Sequence, residues 1–443
     1  MKKGILTICL VVICVVSFII FKGDQAPIQN QTIVPTIKQI GFYHYFSGAL
    51  NGGLVEMIDE VNKGQNQFHV QARGLDHEAF KSMILTTLDK DNPPELFSYW
   101  AGARVQALVD LNKLAHIDDL WDKERLNERF SPPIVEAACT YNGQKYLLPI
   151  DQHLVVFFYN THVFKENNLK PPDSWDAFLT VCEQLKQSKI IPLSLGAKER
   201  WPAQFWMDYL LLRTQGIEYR TRLMTGNARY TDPQVKKVYQ IWADLLQKGY
   251  FNQDANDLDW TGATQMVCKK QAAMTLMGSW AIPLLQNSKE CLEEGKNFDF
   301  FAFPVMDKQI LKVALGPIDG IVLSRQSANH EFSKLTLAHF AGQESQQKMS
   351  LGSGGFAPSL EVPLSFYSPF KERLKQEINL SMAWAFNYDL ATPPRVAELG
   401  MNSFQELIAF PDQYEKILEN VDLEARIIFD QIQNEQKNKN VKE

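Results

Sequence analysis

Residues 38–74 read KQIGFYHYFSGALNGGLVEMIDEVNKGQNQFHVQARG, and the order of patterns within them decides the fold. Ile40, Phe42 and Tyr43 make a strand that Gly48, Gly52 and Gly53 break. Leu54, Met57, Ile58 and Val61 then recur at helical spacing up to Gly64, and Phe68 to Ala72 form a second strand. The pattern repeats downstream: a helix is expected from Ala79 to Leu88 and, after the stop at Pro93 and Pro94, a third strand from Leu96 to Trp100. Strands alternating with helices predict an α/β fold with a parallel or mostly parallel sheet covered on both faces.

Past Pro149 the character changes. The apolar run Leu154 to Tyr159 reads as a buried strand, and helices then dominate. Ser174 is placed to cap a helix starting at Trp175, with Asp176 well set against the helix dipole. Asp232 precedes Pro233 at the start of another helix, whose apolar stripe of Val235, Val238, Tyr239, Trp242, Leu245 and Leu246 ends at Gly249; Trp242 therefore belongs to a core. A strand reappears late, at Ile318 to Leu323, followed by an amphipathic helix through Phe332, Leu335, Leu337 and Phe340. The return of strand-and-helix character after a long helical excursion implies a lobe built from two separated pieces of chain.

The chain has 443 residues, 45% hydrophobic and 22% charged, enough for two ordinary cores. Its 45 Lys and Arg against 51 Asp and Glu give a net charge of −6 without long like-charge blocks, which argues against nucleic acid as a partner. Lys2 and Lys3 precede an uncharged apolar stretch from Gly4 to Phe21, closed by Lys22. Residues 1–22 thus read as a signal peptide or a retained membrane anchor, residues 23–37 as a tether, and everything beyond as facing outward. Cys14 lacks the small preceding residue of a lipobox, so lipidation ranks below both. Of the remaining cysteines, Cys139, Cys182, Cys268 and Cys291, none sits at metal-ligand spacing. Cys268 and Cys291 enclose the shortest possible disulfide loop, but the favoured expectation is that all four are buried small hydrophobes.

No GxSxG elbow, HExxH, Walker loop or dinucleotide-binding GxGxxG is present. The informative residues are the aromatics, 11% of the chain with nine Trp. Sugar rings stack their C–H faces on indole and phenol rings, while their hydroxyls need Asp, Glu, Asn or Arg nearby. Such groupings recur at loop-like positions: Tyr43 to Phe46 before a Gly turn, Tyr99 to Gly102 at a strand end, Asp151 to His153, Glu199 to Pro202 with Trp206 nearby, and Gly278 to Ala281 around Trp280. Core packing is the commoner fate of any single aromatic, and a lone His beside a carboxylate, as His153 is, is more often structural. Five groupings together point to a binding cleft, and ligands of open α/β sheets lie beyond the carboxyl ends of the strands, where Tyr45 and Trp100 are expected.

Those same residues carry a resemblance. The opening strand with Tyr43 to Gly48, then Pro93 to Phe97 with Trp100, Ala101 and Gly102, then Tyr141 to Pro149 running into Asp151 and His153, Pro172 to Phe178, Arg200 to Pro202, Gln271 to Met274 with Gly278 to Trp280, and Gly316 to Gly320 follow one another in order. Over nearly all of residues 38–429 the chain resembles the extracytoplasmic solute-binding proteins of ABC importers, the family that includes maltose-binding protein. The resemblance implies a two-lobed periplasmic-binding-protein-like fold with interleaved lobes and a multi-strand hinge. It places residues 38–149 with about 316–362 in an N-terminal lobe, 150–315 with about 363–430 in a C-terminal lobe, and 431–443 in a polar tail. It implies stacking on the sugar by Trp280, hydroxyl contacts by Asp151, and cleft positions for Trp100, Trp201, Asp319, Tyr45 and Trp206.

Capture of a mono- or oligosaccharide for an ABC permease, by a monomer without catalysis or cofactor, is the leading expectation. The alternative is a sugar-sensing partner of a membrane receptor or histidine kinase, and a carbohydrate-active enzyme ranks third; its carboxylate pair is defined by separation in space, which counting residues does not test.

Overall fold

The computed structural model describes residues 37–291 and 293–440. The expected signal or anchor at 1–22, and all of the expected tether but its last residue, lie outside the described residues. Among the described residues, no helix is long and apolar enough to cross a membrane.

The first sheet contains β1 (Lys38–His44), β2 (Phe68–Gly74), β3 (Leu96–Trp100) and β4 (Leu114–Ala115), after which come a small antiparallel hairpin of β5 (Thr140–Tyr141) with β6 (Gln144–Lys145), and then β7 (Leu147–Gln152). The second sheet is formed by β8 (Val155–Asn160), β9 (Ile191–Ser194), β10 (Ala272–Gly278) and β11 (Phe298–Phe301). The chain then makes β12 (Val313–Leu315), returns to the first sheet as β13 (Ile318–Ser324), and closes a two-stranded parallel pair with β12 through β14 (Ala383–Ala385).

The order of the first sheet is β2-β1-β3-β13-β4, with β7 also paired to β13. β1 is parallel to β2 and β3, as the βαβ pattern predicts. β13 runs antiparallel to β3, β4 and β7, so the sheet is mixed, not mostly parallel. The reason is its route: β13 comes back from the second lobe through Leu315 to Ile318 instead of over a helical crossover, and only the crossover enforces parallel pairing. The second sheet, ordered β11-β8-β10-β9, places the apolar run at its centre, where all six residues of β8 are buried.

Each sheet has its own core. Ile40, Phe42, Phe80, Phe97 and Phe340 are fully buried in the first. Phe157, Phe158, Trp242, Tyr388 and Phe404 fill the second, so Trp242 is a core residue as its helical stripe predicts. Ser174 and Asp232 precede helices, but neither side chain makes a capping hydrogen bond. Asp232 instead accepts the Tyr219 hydroxyl at 3.0 Å and the Arg229 amide. Helix Tyr414–Asn440 runs into the expected polar tail, where a run of Gln, Glu and Lys without Gly or Pro favours the helix.

Three stretches of chain pass side by side between the cores. His153 donates its amide to the Pro317 carbonyl at 3.1 Å, and Gln152 and Phe356 exchange backbone hydrogen bonds at 2.9 and 2.8 Å. Cys268 and Cys291 are joined by a disulfide, while Cys139 and Cys182 are buried and free. The favoured reading of four packed thiols is thus corrected for one pair: the end of helix Trp260–Cys268 and the loop before β11 bring their Cα atoms to 5.2 Å.

Candidate functional site

The site is set by sheet register. Trp100, the last residue of β3, stands opposite Asp319 near the start of β13, and Asp319 stands opposite Asp151 on β7. Three residues far apart in sequence therefore share one end of the first sheet. Tyr45 follows β1 at the same end. Its hydroxyl donates to Asp319 Oδ1 at 2.6 Å and its ring lies parallel to Trp100, centroids 4.0 Å apart. The turn after Trp100 is possible because Gly102 adopts φ +99°, with the Leu390 carbonyl so close that a Cβ would meet it at 2.3 Å.

The second lobe supplies the facing wall. Trp280 follows β10, and its ring meets His153 edge-on at 5.3 Å and Trp201 at 5.8 Å. Trp201 stands in the turn before helix Gln204–Thr214, preceded by Arg200 at φ +67°, a backbone position strained for a non-glycine residue. Between the walls lies a cavity of about 340 Å³ lined by Tyr45, His77, Trp100, His153, Trp201, Gln204, Trp260, Trp280, Asp319 and Asp389, among others. Of the residues expected at a cleft, five thus meet: Tyr45, Trp100, Trp201, Trp280 and Asp319.

Two lie elsewhere. Trp206 is buried in the second core against Phe157, Phe251 and Phe303 and does not line the cavity, because its position in the helix turns it away from the cleft. Asp151 is fully buried behind His153, which it meets at 3.0 Å, so it faces the cavity only through the imidazole. His77, Gln204, Trp260 and Asp389 were not anticipated. Trp260 follows Asp259, whose side chain caps its helix, and so carries the same pairing of aromatic and carboxylate on a loop that marked the other groupings. His77 stands between Asp76, which caps its helix, and Glu78, and was not singled out.

The charges at the floor are interlocked. Burial would lower the pKa of His153, but the Asp151 and Asp319 carboxylates together outweigh it and raise the imidazole above its ordinary value. His153 Nδ1 also contacts the Ser279 hydroxyl at 2.9 Å, and Nε2 lies 3.6 Å from Asp319. Burial pushes the Asp319 carboxyl up to about 6, with His153 pulling it down and Asp151 pushing it further up. Asp151, His153 and Asp319 each bring one ligand atom within 4.8 Å of the others. His153 Nδ1 is held by Ser279 and Nε2 faces both acids, so one imidazole is shared between two carboxylates.

The short helix Tyr388–Ala391 joins the lobes. The Tyr388 and Asp389 amides donate to Asp208 and Gln204 of the second lobe, each at 2.8 Å, and the Asp389 carboxylate meets Arg104 of the first lobe at 3.1 Å. Arg104 is in turn 5.6 Å from the centroid of Trp100.

Two lobes around a cavity walled by aromatic rings and satisfied carboxylates, with hydrogen-bonded crossing strands at the back, define a solute-binding protein. The family model for bacterial extracellular solute-binding proteins matches residues 56–372, and the chain belongs to that family. Membership assigns it an extracytoplasmic location. An uncharacterised ABC transporter extracellular-binding protein of Pyrococcus horikoshii is 26% identical over 394 residues, 86% of each chain. The xylose/arabinose-binding protein of Haloferax volcanii is 28% identical over 232 residues, 50% of this chain and 48% of its own. Among solved structures, the bacterial solute receptor AcbH, which has an exclusive substrate preference for β-D-galactopyranose, superposes with a TM-score of 0.83 at 25% identity, covering 89% of this chain and all of its own.

Proposed function

We propose that this protein captures a carbohydrate of one or a few rings in the cavity between its lobes and delivers it to the permease subunits of an ABC importer, without chemistry on the ligand. The observation that carries the reading is the aromatic lining: Trp100, Trp201, Trp260 and Trp280 offer apolar faces, and Asp319, Asp389 and Gln204 offer fixed polar atoms among them. That combination fits a ring with C–H faces and a rim of hydroxyls. The sugars bound by the xylose/arabinose-binding relative and by AcbH support the same class. In this reading the protein works as a monomer, held at the outer face of the membrane through residues 1–22.

A thermal-shift screen of neutral mono- to trisaccharides, followed by calorimetric titration of those that raise the melting temperature, tests the proposal. Saturable one-to-one binding that quenches or shifts tryptophan fluorescence is expected. Absence of any such ligand in the sugar panel, with binding found among amino acids or peptides instead, would overturn it.

A further inference from the structure

The cavity wall holds charged groups of both signs, yet each cation already has a carboxylate of its own. Lys81 lines the cavity and donates to Glu78 Oε1 at 2.8 Å. His77 lines it as well, and its Nδ1 contacts that same oxygen at 3.0 Å. Burial holds the His77 pKa below its ordinary value, against the pull of Glu78. His153 is tied to Asp151, and Arg104 is tied to Asp389. Glu78 stays ionised: burial raises it, but hydrogen bonds from His77 and Lys81 outweigh burial and take it down to about 2.

On the lining itself the acids are in excess: Asp319 and Asp389 face the cavity and Asp76 also lines it, against one lysine, Lys81. Behind the lining, Asp151 faces His153 and feels the charge of the buried Lys371, and Glu78 holds His77 and Lys81. Asp76 is satisfied by the amides of Glu78 and Ala79, at 3.0 and 3.1 Å, so it too brings no cation to the site. A ligand bearing a carboxylate or phosphate would lose its water and gain no counter-charge there, and it would face an excess of fixed acids.

We infer that the site selects uncharged sugars against their acidic forms, uronic acids and sugar phosphates, and that Glu78 sets this selectivity by occupying Lys81 and His77. This rests on the carbohydrate reading above. Glu78 does not line the cavity; it is a positioning residue that acts through the two side chains it holds.

The test is calorimetry on matched pairs: D-galactose with D-galacturonate, D-glucose with D-glucuronate and glucose 6-phosphate, and galactobiose with digalacturonate. For the neutral sugar that binds, the acidic counterpart is expected to be weaker by about 30-fold or more, the loss expected for a desolvated charge without a partner. In Glu78→Gln the ratio of neutral to acidic affinity is expected to narrow by about fivefold or more at low ionic strength, and to widen again as salt is added, because the gain comes from the freed Lys81. A general loosening of the helix would weaken both members of a pair alike and leave their ratio unchanged. An acidic sugar binding as tightly as its neutral partner, or a ratio that Glu78→Gln does not move, overturns the inference while leaving the carbohydrate reading in place. Failure of every sugar in the thermal-shift panel, these pairs included, overturns the carbohydrate reading, and the inference falls with it.

Discussion

Replacing Arg104 with Ala tests whether the two lobes are held together by a buried charge contact. Arg104 and Asp389 are 9% and 5% exposed, and their nearest atoms are 3.1 Å apart. At an effective dielectric of about 20, Coulomb attraction at that distance is roughly 5 kcal/mol, and desolvation of the two ions offsets most of it. Removing one partner is different, because the other is left dry and unpaired at a cost of about 3 kcal/mol. When the lobes part, both ions are hydrated, so the cost falls on the closed form alone. Affinity for the bound sugar should therefore drop about 100-fold in Arg104→Ala. Asp389→Asn should lose a similar amount, and the double variant should lose far less than the sum, giving a coupling of about 2 kcal/mol in a calorimetric double-mutant cycle. Affinity of Arg104→Ala within about threefold of the parent, or simple additivity in the cycle, would refute the reasoning.

The two tryptophans of contrasting placement should separate cleanly. Trp206→Ala should lower unfolding free energy by about 3–5 kcal/mol in chemical denaturation while the folded protein still binds, whereas Trp280→Ala should weaken sugar binding by about 1–3 kcal/mol in calorimetry. For His153, a folded pKa raised above the unfolded value stabilises the protein fully below about pH 6.5, and that stabilisation fades as pH rises through the folded pKa. His153→Gln should thus cost more stability at pH 6 than at pH 9 in paired melting curves, and an equal cost at both would show that its charge is not held by Asp151. The Cys268–Cys291 bond closes a loop of sequence separation 23, so Cys268→Ser with Cys291→Ser should cost about 3 kcal/mol of unfolding free energy. Cys139 and Cys182, buried and with thiols that burial pushes well up, should resist a thiol reagent until the protein is unfolded.

Local patterns carried much of this architecture. The strands at Lys38–His44, Phe68–Gly74 and Leu96–Trp100 follow from runs of apolar and aromatic residues between Gly and Pro breaks, and the buried face of the Trp242 helix follows from its period. What one chain cannot display is register between distant strands. That Trp100 stands opposite Asp319 depends on which strand returns beside β3 and in which direction, and the antiparallel return broke the expectation of a mostly parallel sheet. Trp206 was misplaced for a related reason. Gln204 to Arg213 are buried on every side, so the helix has no polar face from which to judge which ring meets the cleft. Trp201, five positions earlier, lies in the turn and does reach it. His77 was missed although Glu78 stands beside it in the sequence, because its place in the cleft wall is set by Trp201 across the cleft, which only the fold brings near.

The position of β13 also governs when the protein can fold. β3 ends at Trp100, yet its neighbour on that side is Ile318–Ser324. A nascent chain emerging from the ribosome holds an incomplete first sheet, with one flank of β3 unpaired, until more than two hundred further residues have been made. Those residues belong mostly to the second lobe, so the second lobe can consolidate before the first is finished. The first sheet therefore reaches its full pairing only once Ile318–Ser324 has been made.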